Sequence, residues 1–133
     1  MSKQLIIQYL SEVEQLIQFS GSRNETALRD AFKNLLNEYC KAKNFLLVSE
    51  LEFPTKLGTI IKPDGTIKDA LRLDWGYWES KDKYDNLNEE IEKKIAKGYP
   101  TSNILFEDSQ TAVLLQSGEE IFRCEINDVE ALD

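Results

Sequence analysis

The sequence contains no histidine and only two cysteines. Without histidine the chain cannot build a Ser-His-Asp triad, a Cys-His pair, a histidine zinc site or a histidine-based nuclease motif. Cys40 and Cys124 lie far apart without CxxC spacing, and the N-terminus lacks an apolar signal segment, which indicates free thiols in a reducing cytoplasm. An enzyme built from this chain must therefore use carboxylates, lysines or hydroxyls.

Basic residues and long apolar runs are also scarce. Lys plus Arg total 16 and Asp plus Glu total 24, a formal net charge of -8, so the surface as a whole is unlike that of a basic nucleic-acid-binding domain. No run approaches the ~18 apolar residues of a membrane span, so we expect a soluble protein without membrane contact. Any contact with DNA must be local or come from another domain.

The length and the end of the chain bear on its domain organisation. With 133 residues, 41% of them hydrophobic, the chain has enough apolar material for one compact domain. The final segment 127-NDVEALD-133 is typical of a cap followed by the first turn of a helix. We therefore expect residues 1–133 to be a single domain from the N-terminal part of a longer chain.

Hydrophobic periodicity gives the order of the elements. Apolar residues at helical spacing predict helices over 3–19 and from Ser22 onward, where Ser22 and Glu25 match a capping box. Alternating, β-rich segments fill 45–81, a third helix fits 85–98, and three further strands fit 103–126. The predicted order is α-α-β-β-β-α-β-β-β, an α/β (α+β) fold in which helices flank a sheet.

The segment 76-GYWESK-81 places charged residues on a strand that is otherwise aromatic. Alternate strand residues share a face, so Tyr77, Glu79 and Lys81 point one way. A turn near 73-LDWG-76 would bring Asp69, on the preceding strand, close to Glu79. Two neighbouring carboxylates repel each other unless a cation lies between them, and their oxygens suit a hard ion such as Mg²⁺.

The spacing from Asp69 to Glu79-Ser80-Lys81 resembles the acid plus E-x-K signature of the PD-(D/E)XK nucleases. The stretch 63-PDGTIKDALRLDWGYWESKD-82, with 97-KGYP-100 and 103-NILFEDSQTAVL-114, is similar to the N-terminal nuclease region of restriction-modification enzymes that fuse nuclease and DNA methyltransferase. The resemblance covers roughly residues 22–126. It implies a restriction-endonuclease-like core with a mixed β-sheet.

Carried over position by position, the resemblance implies roles for individual residues. Asp69 and Glu79 would ligate Mg²⁺, or Mn²⁺ in its place, together with the Ser80 backbone carbonyl. Lys81 would orient or activate the attacking water and help to neutralise the phosphate. Glu25 matches the extra acidic residue that many relatives place beside the metal.

The resemblance also implies partners. They are double-stranded DNA, the methyltransferase and target-recognition domains of the same longer chain, and a second copy for cutting both strands.

The literal Pro-Asp pair of the signature is Pro63-Asp64, fourteen residues before Glu79, and Pro-Asp-Gly is also an ordinary turn sequence. We favour Asp69 because it lies mid-strand between apolar neighbours, and we keep Asp64 as the alternative ligand. Asp74 is too close to Glu79, within the expected turn.

Each of these residues also has an ordinary structural explanation. Glu79 and Lys81 could form an exposed ion pair, Asp69 could protect a strand edge, and the capping box alone accounts for Glu25. The segment 89–94 is typical of a solvated helix face with Glu-to-Lys pairs.

Two functions therefore follow from the sequence. The first is a Mg²⁺-dependent DNA endonuclease domain of a restriction-modification protein. The alternative is a non-catalytic acidic interaction module, either of the immunity-protein kind or an inactive nuclease fold.

Overall fold

The computed structural model of the chain describes residues 2–20, 25–55, 57–81, 86–100 and 102–126. Three helices are present in these ranges: α1 (Ser2–Ser20), α2 (Glu25–Ala42) and α3 (Leu87–Ala96). The strands are β1 (Leu46–Ser49), β2 (Phe53–Pro54), β3 (Ile60–Ile61), β4 (Gly65–Lys68), β5 (Asp74–Ser80), β6 (Ile104–Glu107), β7 (Thr111–Gln116) and β8 (Glu119–Glu125).

The main sheet has six strands in the order β1-β4-β5-β6-β7-β8. Its neighbours pair antiparallel except β5 and β6, which are parallel and are joined by the crossover through α3. This is a mixed α+β fold with three helices and a mixed six-stranded sheet, consistent with a restriction-endonuclease-like fold, and it confirms the predicted fold class. Three main-sheet strands separate α2 from α3 as predicted, but β2 and β3 form an additional two-stranded sheet.

Strand β5 is buried on both faces and therefore joins two hydrophobic clusters. Tyr77 belongs to the cluster under α3, while Trp78 packs on the other face against α1 and α2. The Trp78 ring, 1% exposed, stacks on Phe32 with ring centroids 6.0 Å apart. Burying aromatic side chains of this size is a dominant stabilising contribution in a domain of this length. The β5 backbone is consequently held on both sides near its C-terminal end, where Glu79 lies.

Helix α3 begins and ends at the positions that its sequence signals favour. Asn86 is the N-cap, and its side chain accepts a hydrogen bond from the Glu89 N–H at 3.2 Å. Leu87 and Ile91 are buried, whereas Ile95, which follows Ile91 by four residues, is 39% exposed. Gly98 follows the helix with φ of +96°, a conformation that glycine adopts without strain.

No helix in the described ranges has the length and apolar character needed to cross a membrane. The predicted helical turn over 127–133 and the Ser22 cap lie outside the described residues.

Candidate metal and phosphodiester site

Glu79 is a buried carboxylate near the C-terminal end of β5. Its side chain is only 3% exposed, and its Oε1 accepts a hydrogen bond from the Asp64 backbone N–H at 2.9 Å. Removing an ionised carboxylate from water is costly unless hydrogen bonds and opposite charges compensate it. The surroundings of Glu79 supply both.

Asp64 lies directly across from Glu79, at the residue that precedes β4. The antiparallel register pairs Gly65 with Trp78, so the next position outward on each strand brings Asp64 beside Glu79. The Asp64 carboxylate Oδ2 accepts a hydrogen bond from the Ser80 N–H at 2.7 Å. Each strand therefore donates a backbone N–H to a carboxylate of the other strand, which fixes the two acids at one end of the hairpin.

Two lysines approach the same oxygen of Glu79. Lys81 Nζ lies 3.5 Å from Glu79 Oε2, and Lys94 Nζ, which comes from α3, lies 3.3 Å from it. Lys81 also lies 3.8 Å from Glu90 Oε2, and Lys94 donates a hydrogen bond to the Tyr99 hydroxyl at 3.3 Å. Both lysine side chains are largely buried, 16% and 15% exposed, so these contacts are shielded from solvent screening.

The burial and the charges of this cluster shift its pKa values. Burial and the neighbouring Asp64 raise the pKa of Glu79, and Lys94 and Lys81 oppose that rise. Burial and the nearby Lys94 lower the pKa of Lys81, against the attraction of Glu79. Burial alone would lower the pKa of Lys94, but Glu79 and Tyr99 outweigh it and the net change is upward. The lysine whose pKa falls is therefore the one in the E-x-K sequence.

The expectation that Asp69 lies beside Glu79 is wrong in the structure, because Asp69 is at the opposite end of the β4–β5 hairpin. The Asp69 N–H donates to the Leu73 carbonyl at 3.1 Å, and Glu79 follows Leu73 by six residues, which is roughly 20 Å along an extended strand. The Asp69 carboxylate accepts hydrogen bonds from the N–H groups of Leu71 and Leu73 and from the Trp75 indole, at 2.9, 3.0 and 2.7 Å. Asp69 holds the turn, and the alternative residue, Asp64, takes the position next to Glu79.

Two other acidic residues, Asp74 and Glu25, contribute no described contact to the site around Glu79. Asp74 begins β5 and forms an ion pair with Lys68 at 2.7 Å, away from Glu79. Glu25 is the first residue of α2, but its side chain lies outside the described residues. Its place beside a metal stays a prediction.

Lys94 is the site residue that the sequence reasoning missed. The sequence predicts a solvated face over 89–94 with Glu-to-Lys pairs, and Glu90 does pair with Lys93 at 3.4 Å, but Lys94 turns inward to Glu79. A signal was present, because Lys94 follows the buried Ile91 by three residues and therefore lies on the buried side of α3.

A second buried carboxylate, Glu107, lies on the opposite face of the sheet, next to Ser80 in the parallel pairing of β5 and β6. Burial raises the pKa of Glu107 to about 7, although hydrogen bonds from the Ser80 hydroxyl, the Ser109 N–H and the Trp78 indole partly counter it. The Ser109 N–H contact is 2.6 Å and the Trp78 contact 3.2 Å. Ser80 is thus held by Asp64 through its backbone and by Glu107 through its side chain.

The donor atoms at this end of the hairpin fit a hard divalent cation. In the part of the chain that the structure describes, no three Cys, Asp or Glu side chains converge on a metal position. The available donors are the carboxylates of Asp64 and Glu79 and the Ser80 backbone carbonyl. The N–H and C=O groups of one strand residue point toward the same neighbouring strand, so the Ser80 carbonyl faces the side on which the Ser80 N–H contacts Asp64. Oxygen donors of this kind are those that Mg²⁺ prefers, with water completing its shell.

Comparisons with known proteins show a similarity to solved structures. No protein-family model matches the chain, and no curated protein matches it. Among solved structures, the chain is similar to a chain in the cryo-EM structure of a DrdV–DNA complex, with 44% sequence identity and a TM-score of 0.94. The alignment covers 98% of this chain and 13% of that chain. The chain therefore has the same fold as a small part of a much longer protein whose structure includes DNA.

Proposed function

We propose that this chain is a divalent-metal-dependent DNA endonuclease domain of a restriction-modification protein. The observation that carries the proposal is the reciprocal contact between Asp64 and Glu79, with Lys81 and Lys94 at the same carboxylate oxygen. The similarity to a chain that was solved in a complex with DNA supports DNA as the substrate. A surface ion pair, the ordinary explanation for Glu79 and Lys81, does not account for a carboxylate that is 3% exposed.

Asp64, Glu79 and the Ser80 carbonyl would hold Mg²⁺, with Mn²⁺ as a substitute. When bound, the ion supplies the positive charge that favours ionisation of an attacking water and offsets charge on the phosphate. The residues of the chain provide orientation: the hairpin fixes both carboxylates through backbone N–H groups, and such rigidity is a condition for productive geometry.

Lys81 would act on the water and the phosphate. Burial lowers the pKa of Lys81, which makes loss of its proton easier than for an exposed lysine, and its ammonium form attracts the phosphate oxygens. This chemistry needs no histidine, in agreement with the composition.

The net charge of -8 indicates that DNA affinity comes from elsewhere. Methyltransferase and target-recognition domains of a longer chain would supply it. A second copy would be needed to cut both strands.

The experiment is nicking of supercoiled plasmid with Mg²⁺ or Mn²⁺, using the wild type and the variants Asp64→Asn, Glu79→Gln and Lys81→Met. We expect each variant to lose at least about 100-fold in rate, the range typical for removing one group that stabilises the transition state. Asp69→Asn is the matched control, because it removes an equal charge from the other end of the hairpin. Circular dichroism checks the folding of every variant.

Calorimetric titration with Mn²⁺ accompanies the cleavage assay, because an acidic chain has little intrinsic affinity for DNA. We expect the wild type and Asp69→Asn to bind the ion and Asp64→Asn to lose binding. Loss of cleavage in Asp69→Asn but not in Asp64→Asn would overturn the site assignment. A wild type that neither binds the ion nor cleaves would overturn the nuclease proposal and favour a non-catalytic acidic interaction module.

A further inference from the structure

Two adjacent lysines on α3 have different environments. The Lys93 side chain is 65% exposed and pairs with Glu90 at 3.4 Å, as expected of a lysine on a solvated helix face. The Lys94 side chain is 15% exposed and reaches the buried Glu79 on the neighbouring strand. A lysine gives up hydration when it is buried in this way, so the position is costly unless its contacts compensate. Lys94 therefore forms a buried ion pair with Glu79, which an ordinary surface lysine does not.

Lys94 is also held from its own side of the fold. The Tyr99 N–H donates to the Lys94 carbonyl at 3.1 Å, and the Tyr99 hydroxyl accepts from Lys94 Nζ at 3.3 Å. Tyr99 is 7% exposed and belongs to the core cluster under α3. The ammonium is thus placed between a fixed hydroxyl and the Glu79 carboxylate, which restricts its position more than a single ion pair would.

The contacts of the two site lysines with acidic groups differ in length. Lys94 lies 3.3 Å from Glu79, whereas Lys81 lies 3.5 Å from Glu79 and 3.8 Å from Glu90. Lys81 is shared between two acids at longer distances, and Lys94 makes the shorter contact with one. The main counter-charge of Glu79 is therefore Lys94.

We propose that Lys94 is a positioning residue that holds the Glu79 carboxylate in the orientation facing Asp64, leaving Lys81 to act on water and phosphate. The positioning of Glu79 by Lys94 concerns this chain alone, whereas the role of Lys81 rests on the proposed nuclease function. Groups that orient a ligand residue without touching the substrate typically change metal affinity or activity by about 10–100-fold when they are removed.

The first test uses the metal-free protein and needs no activity. The Asp64 N–H donates to Glu79 Oε1, so its resonance in a proton–nitrogen NMR spectrum reports the position of that carboxylate. We expect Lys94→Met to move the Asp64 amide resonance toward its position in Glu79→Ala, while Lys93→Met leaves it unchanged. Tyr99→Phe, which keeps the ring but removes the hydroxyl, should move it part of the way. An unmoved Asp64 resonance in a folded Lys94→Met protein would overturn the proposal.

The second test separates positioning from general stability. At a temperature well below unfolding, Lys94→Met should lower kcat for plasmid nicking by about 10–100-fold with KM for DNA unchanged, and Lys94→Arg should restore most of the loss. Unchanged kcat in Lys94→Met, or equal loss in Lys94→Arg and Lys94→Met, would contradict the proposed role. If the wild type neither binds Mn²⁺ nor cleaves, the nuclease proposal fails, and the NMR experiment still decides whether Lys94 positions Glu79.

Discussion

Replacing Glu107 by glutamine should change how the stability of the protein depends on pH. Glu107 is 1% exposed, and its pKa is raised by burial and by the nearby Asp108, while the groups that lower it, Ser80, Ser109 and Trp78, are uncharged donors. Glutamine has nearly the same shape and keeps an acceptor oxygen for the Trp78 indole or the Ser109 N–H. The substitution therefore removes the ionisation with little change in packing.

The magnitude follows from the pKa of Glu107, which burial raises from the ordinary 4.5 to about 7. Because the folded state binds this proton more tightly than the unfolded state, the stabilisation is complete below pH 4.5 and is lost as pH rises through about 7. One pKa unit corresponds to about 1.4 kcal/mol, so the loss is about 3 kcal/mol. The glutamine variant does not undergo this loss.

Urea unfolding of both proteins between pH 4.5 and 8 measures the effect. The free energy of unfolding of Glu107→Gln, relative to wild type, should rise by about 3 kcal/mol across this range. Glu120→Gln is a control, because a hydrogen bond from Arg123 lowers the pKa of Glu120 and any gain of the wild type over that variant is nearly complete by pH 4.5, so the difference between the two should stay almost constant from pH 4.5 to 8. A constant difference between Glu107→Gln and wild type over the range would refute the reasoning.

Three stability predictions concern the frame around the site. Gly65→Ala should lower the free energy of unfolding in urea by about 1–3 kcal/mol, because the added Cβ would lie 2.7 Å from Leu47 Cδ1 and 2.9 Å from Trp78 Cε3. A variant as stable as the wild type would contradict this close packing. Asn86→Ala should cost about 1 kcal/mol by removing the α3 cap, seen as a lower Tm in calorimetry, and an unchanged Tm would mean that the cap contributes nothing. Phe106→Ala, at a fully buried position, should cost about 3–5 kcal/mol in urea, and a loss below about 1 kcal/mol would exclude a rigid core there.

Strand β5 and helix α3 could be predicted from the sequence because their signals are local. The alternation of Tyr77, Trp78 and Glu79 follows directly from the two-residue period of a strand, and the structure confirms that Tyr77 and Trp78 face opposite sides. The N-cap at Asn86 needs only a side chain that accepts a backbone hydrogen bond.

The place where the hairpin folds back could not be predicted in the same way. We expected the turn near 73–76, but Arg72 adopts a φ of +66° and the Asp69 carboxylate binds the backbone of 71–73, so the chain reverses earlier. Because the chain reverses earlier, the strand register places Asp64, and not Asp69, opposite Glu79. Within Pro63-Asp64-Gly65 the backbone bends at Asp64, and β4 begins at Gly65 directly after it. Periodicity identifies which residues share a face, but register depends on the turn that closes the hairpin.

The parallel pairing of β5 with β6 has a consequence for the order of folding. Asp64 and Glu79 belong to one antiparallel hairpin, which can close locally within about 1–10 μs, whereas Lys94 reaches Glu79 only after the longer α3 crossover has docked. An early hairpin therefore brings two carboxylates together before Lys94 can compensate them. We expect the backbone amides of the β4–β5 hairpin to become protected from hydrogen exchange at the same time as those of β6 and α3, and not earlier. The complete charge cluster would then form in the same cooperative step as the rest of the fold.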